Sequence, residues 1–206
     1  MANPTVSELA ARARSTDARL GTTRLLLIDG PAGAGKTSLG NRFMDALGGW
    51  RSFAGAYDPA DPPPADLPAQ LLHGDDMYEG WSGLDRLDSI LMDQVIMPLA
   101  LGDTGAFRMW DWFLNRRSHV IAVPPRQFLV IEGVGVASRK AREFASLVVY
   151  VDAPAEVRLK RGIERDGEHM RAEWERWQVS EAVHLKAEGL PRAADLVIDG
   201  TRGIPD

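Results

Sequence analysis

The chain has no cysteine, which excludes disulfides, thiolate metal sites and cysteine nucleophiles. It also lacks an excess of positive charge. Lys and Arg number 24 against 29 Asp and Glu, a formal net charge of -5. A broad nucleic-acid-binding surface is therefore not expected, although the total leaves room for a local basic patch. No apolar run is long enough to span a bilayer, and the opening stretch MANPTVSELAARARSTDARLG has no apolar signal-peptide core. These absences set the expectation of a cytoplasmic protein with no membrane partner. Homo-oligomerisation is left open. What is present is 45% hydrophobic content over 206 residues, enough to bury one sizeable core, so residues 1–206 are read as a single domain.

The most informative stretch is LLLIDGPAGAGKTSLG, Leu25 to Gly40. It fits G-x-x-x-x-G-K-[ST], with Gly30, Gly35, Lys36 and Thr37 at the fixed positions. Glycines let successive backbone N–H groups turn inward around phosphate oxygens, and the helix starting at Lys36 aims its unpaired N–H groups at the same anion. Gly30, Ala32, Gly33, Ala34, Gly35, Lys36, Thr37 and Ser38 are the expected phosphate cradle. Lys36 is expected to reach the β- and γ-phosphates and the Thr37 hydroxyl to ligate Mg²⁺. RLLLID reads as a buried parallel strand and KTSLGNRFMDALGG as a helix ended by glycine. The loop is expected to bind a nucleoside triphosphate.

Further apolar runs, AQLLHGDD, RQFLVIEG, SLVVYVDA and ADLVIDG, alternate with helical patterns. Helices are expected at Val6 to Arg14, across Leu84 to Gly102, and from Pro154 to about Glu188 with a break near Gly167. AYDPADPPPADLP, residues 56–68, is too rich in proline and aspartate for a helix or central strand and reads as a mobile surface excursion. The pattern predicts an α/β P-loop NTPase with a doubly wound, mostly parallel sheet of about five strands, helices on both faces and a helical lid at about 156–171. In such sheets the site lies beyond the carboxyl ends of the strands. Asp29, Asp75 and Asp76, Glu132, Asp152 and Asp199 all fall at predicted strand ends.

Three constellations sit around the loop. In HGDDMYEGW the aspartate pair is expected to contain a base that orients an acceptor hydroxyl, the other aspartate capping the next turn. Glu132, in VIEGVG, is placed to hold the metal, through water. Arg158, Arg161 and Arg165 recur at i, i+3 and i+7 and so share a helix face. That face is read as a phosphate clamp on a lid, the alternative being a solvated face paired with Glu156, Glu164 and Asp166. FRMWDWFLNRR offers aromatic faces for a planar ligand, although tryptophans are more often core. Trp174 and Trp177 lie at helical spacing and read as packing.

The order of these motifs resembles the uridine kinase family of P-loop kinases, which includes phosphoribulokinase-like members. The resemblance runs from about Leu25 to Gly200, outside the proline-rich excursion. The family's D-x-F-Y is matched by Asp75-Asp76-Met77-Tyr78, and its Y-D-F by Trp110-Asp111-Trp112. A later family histidine is replaced by Asn115. E-G-[IV] is matched by Glu132-Gly133-Val134, and the lid pattern R-L-x-R-R-x-x-R-D by Arg158 to Asp166 with Gly162 in place of an arginine. A closing A-D-x-x-[IV] is matched by Ala194 to Ile198. The resemblance implies ATP- and Mg²⁺-dependent phosphoryl transfer to a small-molecule acceptor. Asp75 is then the base, Lys36, Arg158, Arg161 and Arg165 the groups that stabilise transferring charge, and Asp75, Asp76, Tyr78, Trp110 and Asp111 the acceptor contacts. Thr37 and Glu132 are the metal residues. Two alternatives stand beside a nucleoside acceptor. One is a nucleotide, cofactor precursor or sugar phosphate held by Arg108, Arg116 and Arg117. The other is a nucleotide-dependent switch or ATPase without a small acceptor.

Overall fold

A computed structural model describes residues 2–206. Its centre is β1 (Arg24–Asp29), an apolar run whose side chains alternate between two cores. Leu25 and Leu27 enter one buried cluster, while Leu26 and Ile28 enter the other. That alternation is what a strand with helices on both faces requires. The sheet has five parallel strands in the order β2-β5-β1-β6-β7, with β2 at Ala69–His73, β5 at Phe128–Glu132, β6 at Ala145–Asp152 and β7 at Leu196–Asp199.

On one face α1 (Val6–Ser15) packs Leu9, Ala10 and Ala13 with Leu39, Phe43 and Met44 of α2 (Lys36–Leu47). Thr5 and Glu8 cap α1 reciprocally, and Gly48, left-handed, ends α2. The other face takes α3 (Leu84–Leu91), a widened turn at Met92–Ile96, and α4 (Met97–Ala100). The widened turn lies just ahead of Pro98, which has no N–H to continue the regular ladder. α5 (Arg139–Phe144), α6 (Ala155–Asp166) and α7 (Arg171–Glu188) complete the helices, with α6 ended at Gly167 as expected. None of the described helices is long and apolar enough to cross a membrane.

The sequence reading did not anticipate a second sheet. β3 (Gly105–Asp111) and β4 (Arg116–Val123) form an antiparallel hairpin, so the Trp110-Asp111-Trp112 motif lies at a hairpin tip. Residues 56–68 carry no helix or strand, as expected. The segment is nonetheless tied at its end, where the Arg126 guanidinium donates to the Leu67 and Pro64 carbonyls.

Candidate functional site

Strand register builds the site. Ile28 pairs with Glu132 on one side of β5, and His73 pairs with Glu132 on the other. The phosphate loop, the aspartate pair and the Glu132 carboxylate therefore converge at one end of the sheet. Gly30 opens the loop at φ +137°, and a Cβ there would stand 2.1 Å from the Val151 carbonyl oxygen. Only glycine lets the loop pass that close to β6. Asp29, fully buried, accepts from the N–H groups of Gly30, Gly135 and Ala137, and so ties the phosphate loop to the loop after β5. Burial raises its pKa against those three donors.

Lys36 is buried and its ammonium donates to the Pro31 carbonyl at 2.9 Å. The Thr37 hydroxyl donates to Glu132 Oε1 at 2.9 Å. The same oxygen lies 2.7 Å from His73 Nδ1. Burial alone would raise the Glu132 pKa, but His73, Lys36 and the Thr37 hydroxyl outweigh it and hold the carboxyl low. Burial opposes the charge on His73, yet Glu132 beside it carries the net shift upward. Thr37 and Glu132 are hard oxygen donors, and Thr37 keeps its lone pairs free because its proton goes to Glu132. That donor set suits Mg²⁺, which keeps its waters and takes one or two protein oxygens beside phosphates. Among the described residues no group of three or more His, Cys, Asp or Glu forms a metal cluster of its own.

Asp75 follows β2 in a single turn of 3-10 helix. Burial and the charge of Glu132 raise its pKa, while Lys36, Arg165 and His73 pull it down. The carboxylate thus shares one electrostatic neighbourhood with the phosphate loop. Neither aspartate caps the turn that follows, contrary to expectation; Asp76 instead accepts the N–H of Gly55, from the loop after α2, at 2.7 Å. Its burial pushes its pKa up to about 6.

Several expected contacts are placed differently. Tyr78, expected to face an acceptor, is buried. Its hydroxyl donates to the Val134 carbonyl and its ring meets Trp177 edge to face at 5.3 Å. Asp111, expected to bind a nucleoside, accepts from the N–H groups of Phe113 and Leu114 and closes the hairpin turn. Arg158, expected on a lid face, is buried against Glu181 of α7 and donates to the Ala153 and Ala32 carbonyls. Arg161 donates to the Gly33 and Gly200 carbonyls, bridging the phosphate loop and the turn after β7. Arg165 pairs with Asp166, lies over the Trp174 ring and lowers the Asp75 pKa by its charge.

Three residues of the site escaped the sequence reading. His73 sits directly before the aspartate pair, and its strand-end position was the available signal. Glu181 accepts the Ala32 N–H at 2.7 Å while pairing with Arg158, so α7 grips the phosphate loop. Nothing in the local sequence announces that long-range contact. Trp81 is the third: it meets Trp112, Trp174 and Trp177 edge to face. Trp81, Trp110, Trp177, Asn115 and Ser180 line a cavity of about 650 Å³. The Trp110 indole N–H is buried without a partner. Trp112 connects this wall to the aspartate pair by donating to the Asp75 carbonyl at 2.8 Å.

This parallel sheet, with its phosphate loop after the first strand and carboxylates at the neighbouring strand ends, is the architecture of the α/β P-loop NTPases. No protein-family profile matches the chain, and no curated protein matches it in sequence. Among solved structures it is similar to one described as a possible uridine kinase from Bacillus stearothermophilus, at 21% identity and a TM-score of 0.63, covering 94% of this chain and 97% of that one. It is also similar to a candidate fructose transport system kinase from Silicibacter sp. TM1040, at 17% identity and the same TM-score of 0.63, covering 94% and 98%. The chain has the uridine kinase-like P-loop kinase fold.

Proposed function

We propose that the protein transfers the γ-phosphoryl group of ATP, with Mg²⁺, to a hydroxyl of a small nucleoside-like acceptor. The observation that carries this reading is Asp75, a carboxylate in the turn that follows β2, two residues after His73, which pairs with Glu132 beside the phosphate loop. A P-loop that only hydrolysed nucleotide would use a carboxylate there to orient water. One that transfers to an alcohol needs a group to orient the hydroxyl and take its proton. Lys36 and the loop N–H groups would hold the phosphates, and Thr37 and Glu132 would hold the metal, which would supply neutralisation of phosphate charge. Phosphoryl transfer is chiefly positioning and electrostatics, so fixed donors around the loop are the main catalytic contribution of the chain. The indole-lined cavity supports a planar acceptor.

A second reading is favoured by a specific cavity of about 490 Å³. Arg86, Arg108 and Arg117 line it with Glu79, which also borders the indole-lined cavity. Those arginines suit an acceptor that already carries a phosphate or carboxylate. Arg116, considered with them from sequence, is exposed and does not line it. The test is acceptor-dependent ADP release across nucleosides, nucleotides, sugars, sugar phosphates and vitamins. A rate that rises with one class identifies the acceptor. ATP hydrolysis indifferent to every acceptor would move the protein to the switch or ATPase reading.

A further inference from the structure

His73 is buried, with 2% of its surface exposed, and both ring nitrogens are engaged. Nδ1 lies 2.7 Å from Glu132 Oε1 and Nε2 lies 2.9 Å from the Ser52 hydroxyl. An ionised carboxylate can only accept, so the proton on the Glu132 side belongs to Nδ1. Nε2 makes the second bond with the Ser52 hydroxyl, which can donate to a neutral ring or accept from a charged one. Ser52 is itself fixed. Its N–H donates to Asn41 Oδ1 and its carbonyl accepts from Asn41 Nδ2, and that same amide also reaches the Thr37 carbonyl. The result is a closed circuit from Thr37 through Glu132, His73, Ser52 and Asn41 back to Thr37.

We propose that His73 is a positioning residue for the metal pair. It holds Glu132 in the one orientation in which Oε1 accepts from both His73 and Thr37, and so leaves the other carboxylate oxygen and the Thr37 lone pairs for the cation and its waters. This inference rests on the reading of Thr37 and Glu132 as the metal residues. The physical reason is the one that governs ligating carboxylates in general: an anionic ligand with a free rotor binds less well than one whose orientation is fixed by an outer hydrogen bond. The register of β2 against β5 puts His73 directly beside Glu132, and burial keeps water from competing for the bond. Purely structural burial of a histidine would be satisfied by backbone carbonyls. Here both nitrogens go to side chains that lead to the phosphate loop.

The test uses the full chain, ADP as the nucleotide and Mn²⁺ as a paramagnetic substitute for Mg²⁺. Mn²⁺ affinity of the protein–ADP complex is read by electron paramagnetic resonance, and ADP affinity in EDTA by calorimetry. His73→Leu is expected to weaken Mn²⁺ binding by about 10- to 100-fold while metal-free ADP affinity stays within about twofold. His73→Asn, whose amide nitrogen can take the Nδ1 position and so keeps a donor toward Glu132, is expected to recover most of the loss. Unchanged Mn²⁺ binding in His73→Leu would overturn the inference. So would an equal loss of metal-free ADP binding, because that is what general damage to the loop produces. If His73→Leu fails to fold, Ser52→Ala decides. It keeps the Glu132 bond but frees the ring, and Mn²⁺ affinity is expected to fall by a few-fold; no change there overturns the inference. A wild-type protein that binds Mn²⁺–ADP but phosphorylates nothing would defeat the kinase reading and leave this one standing.

Discussion

The two halves of the site are built from different materials. On the phosphate side the backbone does the work. Loop N–H groups and carbonyls are held by Asp29, Glu181, Arg158 and Arg161, and nearly every buried polar atom has a partner. On the acceptor side the walls are indoles from α7, the hairpin and the segment before α3, and the Trp110 N–H is left unpartnered. A triphosphate has fixed geometry, so a rigid hydrogen-bonded cradle suits every nucleoside triphosphate kinase equally. An acceptor varies from enzyme to enzyme, and packed side chains on separate elements can change without disturbing the cradle. On the proposed reading, nucleotide chemistry and acceptor choice rest on largely different side chains, with α7 reaching both through Glu181 and Trp177.

Changes on either side should therefore have distinct signatures. The largest effect is expected from Lys36→Ala. On the proposed reading its ammonium neutralises phosphate charge in both ground and transition states, so ATP binding should weaken and turnover fall by roughly a thousandfold or more. Wild-type turnover in that variant would break the phosphate-side assignment. Next comes Trp174→Ala, in the packing between α6 and α7. The indole is 1% exposed, sits on Gly162 and donates to Asp166 at 2.9 Å. Its loss should cost about 3–5 kcal/mol of stability, seen as a lowered denaturation midpoint. ATP affinity measured below that midpoint should hardly move. If ATP affinity falls in step with stability, the two halves are not separable.

Asp75→Asn should leave ATP affinity within a few-fold and cut transfer by about 100-fold, because the amide is nearly isosteric but takes no proton. Calorimetry beside acceptor-dependent ADP release reads both quantities. A larger loss in Asp76→Asn would show that the wrong carboxylate was chosen. The smallest effect concerns Asp76 itself. Its carboxyl is raised from 3.8 to about 6 by burial, so the native state binds more protons than the unfolded chain between those values. That contribution is fully present below about pH 4 and is lost as pH rises through 6. Asp76→Asn should then be more stable than wild type at pH 7, by about 1–3 kcal/mol, with the gain vanishing near pH 4. Denaturant melts at the two pH values test the sign.

Much of the phosphate side was legible in sequence because it is local. The β1 strand, the loop and α2 are contiguous, their residue types are dictated by backbone geometry, and the strand-end carboxylates follow from the sheet rule. The five parallel strands were legible for the same reason. The hairpin was not, since its alternation is interrupted by Trp110-Asp111-Trp112 and its tip carries Asn115 at a left-handed φ of 51°. The arginines misled in a specific way. Helical spacing on α6 put Arg158, Arg161 and Arg165 on one face, but spacing says nothing about depth. Glu181, 23 residues after Arg158, captures the first of them. Gly162 shows the same limit. It stands where the family pattern has arginine, and the reason appears only when the structure brings Trp174 over it, where a Cβ would lie 2.3 Å from the indole.

The indole cluster gives the protein an intrinsic optical sensor. Trp81 is within 5.7 to 6.2 Å of Trp112, Trp174 and Trp177, so four of the six tryptophans are near enough to share excitation. One of them, Trp112, is hydrogen-bonded to the backbone of Asp75. A compound that settles among these rings changes the polarity around several coupled emitters at once. Acceptor candidates can therefore be ranked by quenching or spectral shift of the unlabelled chain, before any turnover is detected and without knowing which hydroxyl is to be phosphorylated.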